Sequence, residues 1–195
     1  IKEWVSNSYW AAFLCEDGNN LSNTSICLKL LSDEAALLAQ SQQSAGIALA
    51  DEIWNLAELG YLEFQSSAAL QNYLRDNGFQ VDSDVGGIPT AFVASYRSNG
   101  ADDADPVIAI LAEFDALPGL NQVATPFRSV SKEGGSGHAC GHHLFGAASS
   151  TAAVAVRQWL LANNIQATIK LVGTPAEEGG SGKVYLARAG VFDGV

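Results

Sequence analysis

The chain has 195 residues, of which 48% are hydrophobic and 16% charged. This is a globular composition that argues against disorder, and the length suits one domain or one domain plus an extension. The formal net charge of −11 argues against a nucleic-acid partner, because phosphate contacts need a basic surface. No apolar run approaches the roughly 18 residues that a membrane span requires, so no membrane association is expected.

Residues 1–45 have no clear hydrophobic period and are predicted to form an irregular extension, with a helix expected over Asp33–Gln43. Cys15 and Cys27 could pair in an oxidising compartment, but three cysteines are not a disulfide framework, and free buried thiols are the preferred interpretation. The weak disulfide and targeting signals make the cytoplasm the expected compartment.

A regular pattern of helices and strands begins near residue 46. A helical period starts at Ile47 and is expected to end at Gly60, and a second helix is expected over Ser66–Asn77. A strand is predicted over Ala91–Tyr96. The continuous apolar run Val107–Ala112 predicts a further strand that is buried on both faces.

The second half of the chain continues this alternation. A helix of about 20 residues is expected from His142, followed by a strand over Thr168–Val172 and a last helix near Gly182–Ala189. The core face of the long helix is predicted to consist of Leu144, Phe145, Ala148, Ala152, Ala155, Val156, Trp159 and Leu160. Helices alternating with buried strands indicate an α/β fold.

Three polar segments lie at the ends of these strands and at the start of the long helix, where open α/β sheets hold their sites. The first directly follows Val107–Ala112 and contains Glu113 and Asp115. These side chains would share a face if the strand continued, because strand side chains alternate with period two. Taken alone, the segment could equally be a strand end with solvated carboxylates.

The second segment, His138–His143, contains all three histidines of the chain together with Cys140. Imidazole and thiolate are ligands that zinc and related ions prefer. Gly141 allows a tight backbone turn, so that Cys140 and His142 could reach one centre. A metal site is therefore preferred over the alternative, a packed thiol or a Cys–His nucleophile pair.

The third segment, Gly173–Gly180, follows the strand over Thr168–Val172 and contains Glu177 and Glu178. Adjacent glutamates in a loop rich in glycine and proline can point in different directions. One could ligate a metal while the other reaches a water molecule at that metal. A charged, solvated turn is the alternative.

The combination of the three segments resembles a known family. Glu113–Pro118, His138–His142 and Pro175–Glu178 are similar to the motifs of M20 metallopeptidases, and the Cys-Gly-His form is similar to the amidohydrolase branch. The resemblance covers about residues 46–195. It implies a three-layer helix–sheet–helix, zinc-peptidase-like catalytic domain that is incomplete, because the lid or dimerisation domain and the C-terminal catalytic segment are expected beyond these residues.

The family also implies roles for matching positions. Cys140, His142 and Glu178 would be metal ligands, Glu177 the general base, and Asp115 a residue that orients the site. The metal would be zinc or manganese, as one or two ions. At two neighbouring positions the chain departs from the usual residues of the family. Glu113 stands where many relatives carry His or Asp, and His143 replaces a common Asp or Asn. His138 is expected to be structural.

Two functions from different classes follow. The first is a metal-dependent amidohydrolase that cleaves the amide bond of a small dipeptide or N-acyl amino acid, with a homodimer possible in the full-length parent. The second is a truncated, catalytically inactive remnant or interaction module that retains part of the metal site. No histidine follows His143, so the later ligands that the family implies are absent from these residues.

Overall fold

The computed structural model describes residues 33–195. The expectations for Cys15, for Cys27 and for the first 32 residues lie outside this range. Residues 33–41 are helical (α1), close to the predicted bounds, and a turn at residue 42 separates them from the next helix. The division of the chain between residues 45 and 46 stays a prediction.

The described elements follow the predicted alternation of helices and strands. Helices α2 and α3 precede the first two strands of the sheet, and helix α4 connects the other two. The bounds are α2 Gln43–Leu56, α3 Phe64–Asp76, β1 Gln80–Ser83, a 3-10 turn at Val85–Gly87, β2 Phe92–Arg97, β3 Val107–Ala112, α4 His142–Asn163, β4 Thr168–Gly173, a one-turn α5 Glu177–Gly180 and α6 Gly182–Arg188.

The four strands form one mixed sheet in the order β1-β2-β4-β3. β2 is antiparallel to both β1 and β4, whereas β3 and β4 are parallel and are linked through α4. The parallel register pairs Val107 with Thr168 and Ala112 with Gly173. The carboxyl ends of β3 and β4 therefore lie side by side, which brings two of the three polar segments together.

Helices cover both faces of this sheet. Strand side chains alternate between two apolar clusters, as the pleat requires: on β4, Ile169 and Leu171 belong to the larger cluster and Val172 to the smaller. The larger cluster includes residues of α2, α3 and α4, and the smaller includes Leu186 of α6. The predicted α/β fold with helices on both sides of the sheet is confirmed. Within residues 33–195, no helix is long and apolar enough to cross a membrane.

Strand β3 has the predicted bounds but not the predicted burial. Only Ala112 is buried, while residues 107–111 are half-buried. The reason is position, because β3 is at one end of the described sheet and pairs there with β4 alone. A continuous apolar run indicated a strand with helices on both faces, but it could not specify how much of each face the described residues cover.

The predicted core face of α4 is wrong at its first turns. Leu144 and Phe145 are 58% and 40% exposed, and Ala148 and Ala152 are also exposed. The buried side of the helix consists mainly of smaller residues: Gly146, Ala147, Ser149, Ser150, Ala153, Val154 and Ala155. These small side chains bring α4 close to the sheet, since a Cβ on Gly146 would lie 2.8 Å from the carbonyl oxygen of Glu113.

Two other local predictions also need correction. Helix α2 ends at Leu56, before the predicted Gly60, because Ala57 adopts a left-handed conformation (φ 42°). Gly60 serves close packing instead, since a Cβ there would lie 3.1 Å from the Cα of Ala176. The short strand β1 had no sequence signal, because its side chains are largely exposed.

The corrected face of α4 predicts the relative cost of two substitutions. Val154→Ala should lower the free energy of unfolding by about 2 kcal/mol, because it leaves a void among fully buried side chains. Leu144→Ala should change it by less than about 0.5 kcal/mol, because that side chain is exposed. Urea denaturation of the metal-free protein measures both. A larger loss of unfolding free energy in Leu144→Ala than in Val154→Ala would instead support the core face that the hydrophobic period predicts.

Candidate metal centre

The three polar segments meet at one edge of the sheet. Glu113 and Asp115 follow β3, Glu177 and Glu178 follow β4, and His142 is the first residue of α4. The two strand ends are also tied directly, because the backbone N–H and the hydroxyl of Thr174 donate to the carbonyl oxygen of Ala112, at 2.8 and 3.1 Å. The fold therefore converts segments that are distant in sequence into one site.

The imidazole of His142 is the centre of this arrangement. Its Nδ1 lies 2.9 Å from Oδ1 of Asp115 and 3.1 Å from the carbonyl oxygen of the same residue, while its Nε2 lies 2.9 Å from Oε2 of Glu113. β3 ends before Glu113, yet both carboxylates reach one ring. Both ring nitrogens thus face acceptors, which favours the protonated ring when no metal is bound. A metal at Nε2 would replace the proton there, while Nδ1 would keep its proton for Asp115.

Asp115 connects this ring to the glutamate segment. Its side chain is fully buried, and its second oxygen, Oδ2, accepts the backbone N–H of Glu178 at 2.9 Å. Burial raises the pKa of Asp115, but the hydrogen bonds from His142 and from Glu178 N–H outweigh it, so the pKa lies below its usual value. The hydrogen bond to Asp115 in turn raises the pKa of His142. Asp115 is therefore ionised at neutral pH and orients two parts of the site.

Two groups of three side chains, which share His142, could each hold a metal ion. Within each group the ligand atoms lie within 4.8 Å of one another. Cys140, His142 and Glu178 form the first, and Glu113, His142 and Glu177 form the second. Gly141 between Cys140 and His142 has a left-handed backbone (φ 83°), as a tight turn requires. The structure thus brings together the three predicted ligands, and it adds Glu113 as a neighbour of the same imidazole.

The electrostatics of the site fit a divalent cation. The neighbouring carboxylates, Glu178 above all and then Glu177 and Glu113, raise the pKa of the exposed Cys140 thiol. A thiol that is harder to ionise is a poor nucleophile, which argues against a Cys–His pair. Thiolate, imidazole and carboxylate together are the ligand types of zinc sites, and a cation would offset the mutual repulsion of these anionic groups.

Glu177 and Glu178 diverge because the backbone around them is irregular. Ala176 is left-handed (φ 56°), Glu178 leaves the helical region (ψ 84°), and Gly179 has φ 83°. Glu178 is half-buried beside Cys140, whereas Glu177 is exposed. Two glutamates in one turn therefore take different places around His142, as expected for adjacent glutamates in a loop rich in glycine and proline.

Sequence reasoning missed Glu63. This side chain is fully buried, its Oε1 accepts the backbone N–H of Ala176 at 2.8 Å, and its Oε2 accepts the hydroxyl of Thr90 at 2.9 Å. The two partners are 113 and 27 positions away along the chain, so no local spacing could indicate the contact. Glu63 supports the residue that immediately precedes Glu177.

His138 and His143 pack outside the two ligand groups. His138 is buried, and its Nε2 lies 3.0 Å from the carbonyl oxygen of Ile53. Burial lowers the pKa of His138 to about 4, so it is neutral at neutral pH. The indole of Trp54 contacts the ring of His143 edge-on, with centroids 4.8 Å apart. These contacts support the expected structural role of His138.

Comparison with known proteins gives consistent results. Residues 109–194 match the model of peptidase family M20/M25/M40. The chain is 45% identical over 148 residues to a p-aminobenzoyl-glutamate hydrolase component of Escherichia coli K12, covering 75% of this chain and 30% of that protein. It is 32% identical over 173 residues to the Xaa-Arg dipeptidase of Mus musculus, covering 85% and 36%. The chain thus spans about a third of the length of these relatives.

A solved structure shares the fold. The Bacillus subtilis YXEP protein, described as a dinuclear metal binding peptidase from the M20 family, matches with a TM-score of 0.61 and 26% identity. The match covers 80% of this chain and 41% of that one. The layered architecture of helices and sheet is therefore that of an M20 peptidase over the shared part.

Removal of the charge on Asp115 tests its orienting role. Asp115→Asn should weaken Zn²⁺ binding about 10- to 100-fold, because the amide no longer fixes the ring of His142 through an ionised acceptor. Competition with a fluorescent chelator measures the affinity. Asp103→Asn is the matched control, since Asp103 is exposed and pairs with Arg97 on the surface. Equal affinities for Asp115→Asn and the control would contradict the role.

Metal affinity is also expected to depend on pH. The pKa values of Cys140 and His142 are both raised, and both groups must lose a proton before they can ligate a metal. Affinity should therefore rise from about pH 6 to about pH 9, with protons released on binding. Calorimetric titration with Zn²⁺ in two buffers of different ionisation enthalpy counts those protons. A flat affinity without proton release would show that these groups are not ligands.

Proposed function

The chain belongs to peptidase family M20/M25/M40, and on that premise we propose that the protein is a metal-dependent hydrolase of amide bonds. One observation carries the proposal. A thiol, an imidazole and a carboxylate, from Cys140, His142 and Glu178, converge at the carboxyl edge of the sheet, with a second glutamate beside them. That set of groups can hold a cation and also move a proton, and hydrolysis of an amide needs both.

Cys140, His142 and Glu178 would hold the metal. When bound, a divalent ion polarises the substrate carbonyl and lowers the pKa of water to about 7. Thiolate and imidazole ligands favour zinc, and manganese is the second candidate. Glu113, beside the same imidazole, would help to hold a second ion, while Glu177 in that overlapping group would be left to move the proton. The dinuclear relative makes two ions the preferred arrangement.

Glu177 would be the general base. Its carboxylate is exposed toward solvent, and one of its oxygens lies within 4.8 Å of a ring nitrogen of His142. Glu177 would take a proton from the attacking water and later deliver it to the leaving amine. Asp115 would take no proton, because its hydrogen bonds to His142 and Glu178 keep it ionised and occupied.

The proposed substrate is the amide of a small acyl or aminoacyl group with an amino acid. The names of the relatives support this class, since one hydrolyses p-aminobenzoyl-glutamate and another is a dipeptidase. A homodimer remains part of the proposal. A metal-binding remnant without turnover is the competing function, and it differs from the hydrolase in binding Zn²⁺ without any hydrolysis.

Paired glutamine substitutions separate the base from the ligand. Glu177→Gln should lower kcat for p-aminobenzoyl-glutamate and for dipeptides about 10²- to 10⁴-fold while Zn²⁺ content stays unchanged. Glu178→Gln should lower Zn²⁺ content itself, because the ligand loses its charge. Glu52→Gln, an exposed residue of α2, is the control. Metal content is measured by mass spectrometry beside the kinetics.

Each result has a defined meaning. Retained hydrolysis in Glu177→Gln would contradict the base assignment. Unchanged Zn²⁺ content in Glu178→Gln would contradict the ligand assignment. Metal binding without hydrolysis in the unsubstituted chain would establish the remnant function for these residues.

A further inference from the structure

The turn that carries Glu177 has a strained backbone. Ala176 precedes Glu177 and has a left-handed conformation (φ 56°), which costs an L-residue with a Cβ free energy. Ser181, at the other end of the turn, is also left-handed (φ 56°). Such conformations persist only where surrounding contacts determine them. The contacts that hold Ala176 therefore matter for the direction of the neighbouring base.

The contact on the polar side of Ala176 is the buried carboxylate of Glu63. Its Oε1 accepts the Ala176 N–H at 2.8 Å, and its Oε2 accepts the Thr90 hydroxyl at 2.9 Å. Burial raises the pKa of Glu63, while the hydrogen bonds from surrounding backbone N–H groups and from Thr90 oppose this shift. Burying a carboxylate costs free energy unless hydrogen bonds compensate for the lost water. The N–H of Ala176 provides one of these hydrogen bonds, so Glu63 and the conformation of Ala176 stabilise each other.

The backbone before Glu63 packs on the same residue. A Cβ on Gly60 would lie 3.1 Å from both Cα and Cβ of Ala176, and 3.8 Å from Oδ2 of Asp115. The hydroxyl of Tyr61 donates to the carbonyl oxygen of Gly180 at 2.5 Å. The segment from Gly60 to Glu63 thus contacts the base-carrying turn at both of its ends.

We propose that Glu63 is a positioning residue for the general base, acting on Glu177 through the backbone N–H of Ala176. This inference rests on the proposed role of Glu177 as base. The side-chain partners of Glu63 are the Ala176 N–H and the Thr90 hydroxyl, neither of which belongs to a proposed metal ligand. Glu63 holds the N–H of Ala176, and with it the left-handed conformation of Ala176 that directs the following Glu177 carboxylate toward His142. If Glu177 were displaced by about 1 Å, its carboxylate could still accept a proton but would no longer be aligned with the attacking water. Such a displacement can lower the rate about 10²-fold.

The chemistry of Glu63 allows a graded set of variants. In Glu63→Gln, the amide oxygen can accept the Ala176 N–H while the amide group donates to the Thr90 hydroxyl, so the contact survives in neutral form. In Glu63→Ala, the Ala176 N–H has no acceptor from this side chain. Adding Ala176→Gly to Glu63→Ala should restore part of the lost rate, because glycine adopts the left-handed conformation without a steric penalty.

A matched control tests whether any buried hydrogen bond would behave in the same way. The hydroxyl of Ser67 donates to the carbonyl oxygen of Thr90 at 2.8 Å and is buried in the same region, but its hydrogen-bond partners are Thr90 and Gln71 and not Ala176. Ser67→Ala should therefore lower the free energy of unfolding without affecting Glu177. The comparison separates local packing from positioning of the base.

The Zn²⁺-loaded protein is assayed with p-aminobenzoyl-glutamate for kcat and KM. Glu63→Ala should lower kcat about 10²-fold with KM and Zn²⁺ content nearly unchanged. Glu63→Gln should stay within about tenfold of the unsubstituted protein, because a neutral acceptor is roughly half as strong as a charged one. The double variant Glu63→Ala with Ala176→Gly should recover about tenfold of the loss, and Ser67→Ala should retain full kcat.

A second readout does not depend on activity. Amide hydrogen exchange in the metal-free protein, followed by NMR, should show the Ala176 N–H protected in the unsubstituted protein and in Glu63→Gln, and exposed in Glu63→Ala. Equal losses of kcat in Glu63→Ala and Ser67→Ala, or an Ala176 amide that does not respond to Glu63→Ala, would overturn the proposal. If the unsubstituted protein bound Zn²⁺ without hydrolysis, the function proposed above would fail, while Ala176 exchange would still decide the contact that Glu63 makes.

Discussion

The site depends on one buried carboxylate. Asp115 accepts a hydrogen bond from the ring of His142 on one oxygen and from the backbone of Glu178 on the other. It thereby joins the end of β3, the start of α4 and the turn after β4, which are three separate elements of the fold. A buried charge is tolerated only when its hydrogen bonds are made, so the fold and the site are stabilised by the same contacts. Displacing α4 or the turn after β4 would remove one of the two partners of Asp115.

The density of negative charge is the second constraint. Glu113, Glu177 and Glu178 all influence the thiol of Cys140, and together they raise its pKa. Lys183 offsets part of this charge by pairing with Glu113. The remaining repulsion opposes the folded arrangement until a cation binds, so metal binding should both order the site and release protons from the ligands. A surface that merely carried solvated carboxylates would not place a thiol and a fixed imidazole among them.

The sequence predicted the elements whose signals are local. The apolar runs of β3 and β4 and the start of α4 at His142 were correct, and so was the convergence of Cys140, His142 and Glu178, because each lies in a compact motif at an element boundary. The core face of α4 was wrong, because close helix–sheet packing selects small residues such as Gly146 rather than bulky ones. Glu63 escaped notice because its partners are remote in sequence, and only the folded chain brings them to it.

These contacts explain how an exposed glutamate can still have a defined place. The backbone is held by a buried carboxylate on each side of Glu177, by Glu63 at the N–H of Ala176 and by Asp115 at the N–H of Glu178. The backbone is thus fixed from two directions while the Glu177 carboxylate is exposed. A general base must accept a proton and then release it, and a fixed backbone with an exposed carboxylate suits both steps. A buried carboxylate would have a raised pKa and would hold its proton too firmly. A carboxylate on a mobile backbone would lose its alignment with the reacting atoms. The two buried carboxylates therefore confer order on the turn without burying the group that has to react.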